Sequence, residues 1–281
     1  MKAIYDKQNK AVYHHFENVA QWSEYGLDTY NTSSLNDDSG FTDYTTGKQL
    51  NNMLVNCKAP AKARKAVSEA LAVSADTHEA GAPVYTLYND MSGIICDITA
   101  HTMGEYECML NYDIQEQARP TIWIACSFGA LSNAKEYQFF NRGIALIRAV
   151  KDLQSKGNSV GIIAYSSCEH EEYSGKMGAR VDTHTQTVVV KRPQDELNES
   201  TMINMFTLPA TLRTLGFCVR YNDLGSEYGR TITLPRKALA HTDFAHEKIV
   251  ILESDGQLYN FKTADKGAQY IQKQIENTKA N

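Results

Sequence analysis

The residues best suited to chemistry stand together in one polar segment, CEHEE at 168–172. A thiol beside an imidazole, here Cys168 and His170, is a pairing that supports nucleophilic catalysis. Ser127, at the end of an earlier apolar run, is a second possible nucleophile. No third residue that would orient a base and no oxyanion hole can be identified, so no catalytic residue is assigned. We interpret the segment as an exposed acidic loop, because consecutive side chains rarely all face one ion.

The cysteines give no metal or disulfide signature. They are scattered along the chain without a CxxC pair, at Cys57, Cys96, Cys108, Cys126, Cys168 and Cys218. Zinc sites and disulfide frameworks favour closer spacing, so we expect buried, reduced thiols. The acidic pair Asp37-Asp38 lacks the spaced ligands of a calcium loop. The sequence therefore predicts no bound metal and no cofactor.

Composition bounds the class of protein. The 281 residues are 42% hydrophobic and 22% charged, which is ordinary for a globular chain, and the net charge is -5. Nucleic acid would therefore have to meet a local basic patch, such as Lys62, Arg64 and Lys65 or the pair Lys191-Arg192. No run approaches the ~20 apolar residues that cross a bilayer, and the N-terminal segment has no apolar signal core. We expect a cytoplasmic protein.

The element that must position these residues is a strand–helix–strand unit between residues 120 and 165. Thr121–Cys126 is uncharged, β-branched and apolar, as in a strand buried on both faces. Arg142–Lys156 switches to a period of 3.6 with one apolar stripe, and Gly157-Asn158 ends that helix. Val160–Tyr165 is the second buried strand. A crossover helix between two such strands predicts that they are parallel.

The remaining segments predict an α/β protein with a mostly parallel, doubly wound sheet and an added N-terminal α+β region. We place the two regions at 1–118 and 119–281, which could also form one continuous domain. Further helices are predicted at Ala11–Gly26, Ala59–Ser74, Asp195–Leu215 with a break at Pro209, and Ala264–Thr278. Further strands are predicted at Val84–Tyr88, Gly93–Thr99, His184–Val190, Phe217–Tyr221, Arg230–Leu234 and Lys248–Glu253.

The first strand and its helix resemble the opening of a von Willebrand factor A-like domain. In that family the strand ends in an Asp-x-Ser-x-Ser motif that holds a metal ion. The aligned residues here are Ala125, Cys126, Ser127, Phe128 and Gly129, of which Ser127 alone matches. Ser132 could supply a hydroxyl but not the missing charge that a hard cation requires. The resemblance implies a metal-free platform of this fold.

Three stretches resemble an uncharacterised family encoded by bacteriophages, which implies a phage source. They are GEYECM at 104–109, FNRGIALIRAVKDLQSKG at 140–157, and VVVKRPQDELNESTMINMFTLPATLRTLGF at 188–217. Within them Asn141 can cap the helix and Arg142 can complete an anion site at its N-terminus. A capped helix packed closely on the sheet through Gly143 is the alternative. Lys191, Arg192 and Arg213 are further candidates for a basic surface near the strand ends.

Three functions remain open from the sequence. The first is a non-enzymatic phage protein that binds a protein partner on a metal-free platform. The second is a protein that binds single-stranded DNA as a transcription or replication cofactor, with a basic aromatic groove. The third is a hydrolase that uses Ser127 or the Cys168–His170 pair at the carboxyl ends of the strands. The oligomeric state is left open.

Overall fold

The computed structural model describes residues 2–6, 10–28, 32–36, 42, 45–72, 85–92, 95–114, 120–130, 134–169, 183–224, 230–240, 242–245, 247–252 and 258–280. The strands are β1 (Lys2–Asp6), β2 (Ala11–Phe16), β3 (Tyr85–Asp90), β4 (Ile95–Cys96), β5 (Met109–Ile114), β6 (Thr121–Ser127), β7 (Ser159–Glu169), β8 (Thr183–Lys191), β9 (Arg230–Ile232) and β10 (Ile249–Leu252). The helices are α1 (Val19–Leu27), α2 (Thr32–Leu35), α3 (Gly47–Val55), α4 (Ala61–Ala72), α5 (Ile98–Thr102), α6 (Glu136–Ser155), α7 (Glu199–Thr207), α8 (Phe217–Leu224) and α9 (Ala264–Ala280).

Seven strands form one mixed sheet in the order β1-β2-β8-β7-β6-β10, with β9 paired to β7 beyond the end of β6. Strands β10, β6 and β7 run parallel to one another, and β2 runs parallel to β8. Strand β8 is antiparallel to β7, and so is β9. The α/β class is confirmed, but the mostly parallel sheet is wrong. A continuous apolar run such as Thr187–Val190 indicates a buried strand without fixing its direction.

The predicted βαβ unit is present, with β6 parallel to β7 and α6 between them. Helix α6 begins at Glu136, six residues before the predicted start at Arg142. Gly157, with φ of 78°, supplies the left-handed residue that ends the chain's helical path. Leu146 and Val150 of α6 belong to the core cluster that also holds Ile124 of β6 and Ile162 of β7. The unit is therefore the rigid centre of the molecule.

The second face of the sheet is also covered. Trp123 and Ala125 of β6 and Tyr165 of β7 point to this face, where Leu239 and Phe244 cover them. The Tyr165 hydroxyl donates to the carbonyl of Leu252 at 2.8 Å, which ties β7 to β10. Burial on both faces explains why these strands lack polar alternation.

Two predicted elements have the wrong secondary structure. Of the predicted helix Ala11–Gly26, Ala11–Phe16 is instead the wholly buried strand β2, and the helix α1 begins only at Val19. Phe217–Tyr221 lies in helix α8 and follows a π-helical turn at Leu212–Gly216. Both segments are short and apolar, so burial against neighbouring elements decides their state. Through β1 and β2, the N-terminal region contributes two strands to the main sheet.

A second sheet of three short strands lies apart in the order β3-β5-β4. The predicted strand Val84–Tyr88 corresponds to β3, which runs to Asp90, whereas the predicted strand Gly93–Thr99 is wrong in part, because helix α5 begins at Ile98. Strand β5 was not predicted. Among the described residues, this sheet has few contacts with the main sheet or its helices. We call residues 85–114 the small-sheet module.

In the part of the chain that the structure describes, no single helix is both long enough and apolar enough to cross a bilayer. The pair Glu199–Thr207 and Leu212–Asp223 passes only when the two segments are joined, across a bend of 62°.

Candidate functional sites

At the end of β6, the Ser127 side chain is hydrogen-bonded to the backbone that follows it. Ser127 is buried, and its Oγ accepts a hydrogen bond from the amide of Gly129 at 3.0 Å. A Cβ atom on Gly129 would meet the hydroxyls of Ser127 and Ser166 at 3.2 Å, so glycine allows this close approach. The place where the von Willebrand factor A-like motif would hold a metal ion is thus lined by the hydroxyls of Ser127 and Ser166. Ala125 stands where that motif has its aspartate, so this position supplies no carboxylate. Ser132 lies outside the described residues.

Asn141 and Arg142 join α6 to neighbouring loops. Because α6 begins at Glu136, Asn141 is inside the helix and does not cap it; its amide donates to the carbonyls of Phe261 and Lys262. The Arg142 guanidinium is buried and donates to the carbonyl of Phe206 and, at 3.2 Å, to that of Gly129. Burial lowers the pKa of Arg142 to about 10. These contacts fix the carboxyl end of α7, and anion binding by Arg142 stays a prediction.

The candidate basic residues lie in different environments. Lys191 is 3% exposed, and its Nζ donates to the carbonyls of Val160 at 2.7 Å and Arg192 at 2.9 Å. Arg192 is half-buried, and its amide donates to the carboxylate of Asp195. Arg213 is half-buried, with its guanidinium 5.8 Å from the ring of Phe217.

Lys62 and Lys191 lie near opposite ends of α6. Lys62 lines a cavity with Glu136 and Tyr137, at the start of that helix. Lys191 contacts Val160, just past its end. The 20 residues of α6 span roughly 30 Å. Lys62 and Lys191 are therefore not brought together on one surface.

The thiol of Cys168 faces an imidazole that the sequence did not suggest. In the ladder between β7 and β8, Cys168 lies directly opposite His184. Nε2 of His184 contacts Oδ2 of Asp223, on α8, at 2.6 Å. Cysteine, histidine and aspartate thus follow one another as in a catalytic triad. Cys168 and His184 have no exposed surface, however, so a substrate has no access to the sulfur. His170 lies outside the described residues.

Two more side chains from the N-terminal region complete this buried cluster. The Tyr25 hydroxyl donates to Oδ1 of Asp223 at 2.8 Å, and Nε2 of His14 lies 3.4 Å from the same oxygen. His14 comes from β2 and Tyr25 from α1. One carboxylate on α8 therefore joins three elements on this face of the main sheet.

The electrostatics favour a charged His184 and a neutral His14. Burial alone would lower the pKa of His184, but the hydrogen bonds and charges of Asp223 and Cys168 raise it to about 9. Burial lowers the pKa of His14 to about 4, against the attraction of Asp223. Burial alone would raise the pKa of Asp223, but the hydrogen bond and charge of His184, together with the hydrogen bond from Tyr25, lower it. The cluster thus behaves as a buried imidazolium–carboxylate pair.

The small-sheet module displays an apolar surface. Five of the eight large hydrophobic residues that are exposed in the described part of the chain lie between residues 91 and 106. They are 63–89% exposed, and they are Met91, Ile95, Ile98, Met103 and Tyr106. The other three, Val55, Tyr137 and Tyr259, are scattered over the main body. Large apolar side chains gathered on a surface commonly mark an interaction site.

The same module is acidic. Between Lys65 and Arg119 the sequence has no lysine or arginine, and residues 85–114 contain Asp90, Asp97, Glu105, Glu107 and Asp113. The chain has 28 basic and 33 acidic residues, so the rest of the chain is formally neutral. The excess negative charge of the protein therefore belongs to the small-sheet module.

Comparison with known proteins gives a family. A family model described as a domain of unknown function, DUF7192, matches residues 4–276. The chain belongs to the DUF7192 family. No curated protein matches the chain, and no solved structure does. Because the match spans both sheets, the small-sheet module is part of the DUF7192 domain and not an addition to it.

Sequence reasoning missed several residues of this DUF7192 protein for identifiable reasons. His184 and Asp223 are far from Cys168 along the chain, and they meet only through the β7–β8 ladder and the packing of α8. The exposed apolar residues of the module could have been found from the sequence. Ile98, Met103 and Tyr106 stand among polar residues in a stretch without lysine or arginine. That pattern indicates an exposed surface with apolar character.

Proposed function

We propose that this DUF7192 protein is a non-enzymatic binding protein that recognises a partner protein through the small-sheet module. The main sheet serves as a rigid, metal-free platform, similar in its β6–α6–β7 unit to von Willebrand factor A-like domains. The observation that supports this proposal best is the gathering of Met91, Ile98, Met103 and Tyr106 on one exposed segment. Burying such side chains against a partner supplies the main driving force for association.

The charge of the module indicates the chemistry of its partner. With five carboxylates and no basic residue between 85 and 114, the module favours a surface that has an apolar centre and a rim of lysine or arginine. A second copy of the same module would meet like charge with like charge. Nucleic acid would be repelled for the same reason. The occupant we infer is therefore a basic, amphipathic protein surface.

A defined probe tests this inference. Fluorescence anisotropy of a labelled peptide of lysine and leucine, helical and amphipathic, is measured against the full chain over a salt series. We expect binding that weakens with salt, and no binding of the matched peptide in which glutamate replaces lysine. Ile98→Ser with Met103→Ser is expected to lower affinity at least tenfold. Both residues are more than 70% exposed, so their substitution leaves the fold intact.

A matched control distinguishes binding at the module from nonspecific hydrophobic binding elsewhere on the protein. Tyr137→Ser with Tyr259→Ser removes exposed apolar residues of the main body and should leave peptide affinity unchanged. Equal losses in the two double variants, or equal binding of the two peptides, would overturn the proposal.

Single-stranded DNA binding and a phage source stay predictions, and the first has a direct test. A fluorescent oligonucleotide is titrated with the chain at low salt. The protein-binding proposal expects no binding, because Lys62 and Lys191 lie near opposite ends of α6 and the module is acidic. Tight binding that falls steeply with salt would favour the DNA-binding alternative instead.

A further inference from the structure

Three potential ligands for a metal ion meet in the small-sheet module. Cys96 is the last residue of β4, His101 lies in α5, and Cys108 immediately precedes β5. Their ligand atoms all lie within 4.8 Å of one another. Sγ of Cys108 is 3.7 Å from Nδ1 of His101. All three residues are at least partly exposed, so an ion has a path from solvent.

The separations suit zinc. Zn–S bonds of about 2.3 Å and Zn–N bonds of about 2.0–2.1 Å place neighbouring ligands of a tetrahedral ion roughly 3.5–3.8 Å apart. The contact between Cys108 and His101 already has this length, and small side-chain rotations would bring Cys96 to it. Two thiols and an imidazole are also the donor types that zinc prefers. A tetrahedral ion has a fourth position, which water can fill.

The backbone around the three residues is arranged to hold them. The amide of Asp97 donates to the carbonyl of Cys108 at 2.7 Å, which joins the ends of β4 and β5. The Asp97 carboxylate caps α5 by accepting from the amides of Thr99 and Ala100. Gly104, with φ of 78°, turns the chain back after α5. A short helix between two strand ends thus presents His101 to both cysteines.

A second, independent observation is the low burial of the module's described side chains. Of its residues whose side chains are described, 90–92 and 95–110, Ala100 alone is buried. The strands have six, two and six residues, and α5 has five. Burial of these residues therefore does little to offset the entropy of ordering them, and small modules of this kind are commonly held by a metal.

We propose that Cys96, His101 and Cys108 bind one Zn²⁺ ion, and that this ion stabilises the small-sheet module. Neither Cys96 nor Cys108 is in a disulfide, so both sulfur atoms are available as ligands. Zinc binds the two thiolates and the neutral imidazole, so each ion that enters releases two protons from the thiols to solvent. The inference does not depend on what the module binds.

The test uses the full chain, purified under reducing conditions. Zinc content by plasma mass spectrometry is expected to be one ion per chain, and Co²⁺ exchanged into the site should show the visible bands of tetrahedral cobalt with sulfur ligands. Cys96→Ser, His101→Ala and Cys108→Ser should each lower zinc affinity at least a hundredfold. Cys57→Ser, which removes an exposed cysteine outside the cluster, should bind zinc as the wild-type chain does.

Several results would overturn the proposal. They are no zinc binding by the wild-type chain, an equal loss in Cys57→Ser, or an octahedral cobalt spectrum. A disulfide between Cys96 and Cys108 in the chain as first isolated would do the same. Because zinc is measured on the chain alone and peptide binding is tested through Ile98 and Met103, failure of one proposal is distinguishable from failure of the other.

Discussion

Substitution Asp223→Asn tests the buried cluster most sharply. Asp223 is 7% exposed and accepts from Tyr25 at 2.8 Å, while its second oxygen contacts His184 at 2.6 Å. Asparagine keeps the size of the side chain and can still accept from Tyr25. It removes the negative charge that offsets the imidazolium of His184. The substitution therefore isolates the electrostatic part of the cluster.

The expected cost follows from the burial of the pair. Removing one partner of a buried ion pair costs about 3–5 kcal/mol, because the other charge is left without compensation. His184 can lose its proton to avoid this penalty, and asparagine retains one hydrogen bond, so we expect the low end, about 3 kcal/mol. For a chain of this size that corresponds to a fall in Tm of roughly 6–12 °C. The pKa of His184 should fall from about 9, because Asp223 no longer stabilises the charged ring and Cys168 alone then opposes the effect of burial.

Two measurements check the prediction. Urea unfolding at pH 7 gives the change in the free energy of unfolding, and NMR titration of the histidine ring protons gives the pKa of His184. Asp265→Asn is the matched control, because Asp265 is 83% exposed and pairs with Arg148 at 2.8 Å on the surface. We expect that control to cost less than about 1 kcal/mol. If the two substitutions cost the same, or if His184 titrates near 6.5 in the wild-type chain, the account of the cluster is wrong.

Further predictions concern pH, packing and a buried lysine. The raised pKa of His184 contributes stability that is fully present below pH 6.5 and is lost as the pH rises through about 9. The lowered pKa of His14 has the opposite effect, so stability falls as the pH drops from 6.5 towards 4. The urea concentration at the unfolding midpoint should therefore be highest near pH 6.5. A Cβ on Gly143 would clash with the Thr207 methyl, so Gly143→Ala should cost about 1–3 kcal/mol in thermal unfolding, and adding Thr207→Ser should restore most of it. Lys191→Met leaves buried carbonyls without their donor and should lower the free energy of unfolding in urea by about 1–3 kcal/mol. A loss below about 0.5 kcal/mol, which is typical of an exposed side chain, would contradict a structural role for Lys191.

The βαβ unit was predictable because its evidence is local. The apolar run at Thr121–Cys126, the 3.6-residue period after Arg142 and the Gly157-Asn158 stop each have a physical meaning within a few residues. Strand direction is not local. Whether β8 runs with or against β7 depends on packing across the whole sheet, and Val188–Val190 looks the same in either case.

The candidate sites show the same difference between what local sequence predicts and what packing decides. Ser127, Arg142 and Lys191 were chosen from their places in the sequence, but burial directs their polar atoms to main-chain groups nearby. The Cys96, His101 and Cys108 cluster escaped because its spacing contains no CxxC pair. The residues meet through the pairing of β4 with β5, which joins two short segments whose strand signals are weak.

Photo-crosslinking tests the central claim, that the small-sheet module is the binding surface, most directly. A benzophenone amino acid replaces Tyr106, which is 89% exposed, in the full chain produced in its natural host, and Tyr259 is replaced as the control. We expect irradiation at position 106 to give a crosslink to one basic protein, abolished by Ile98→Ser with Met103→Ser and absent from position 259. No crosslink at position 106, or the same products from both positions, would contradict the account.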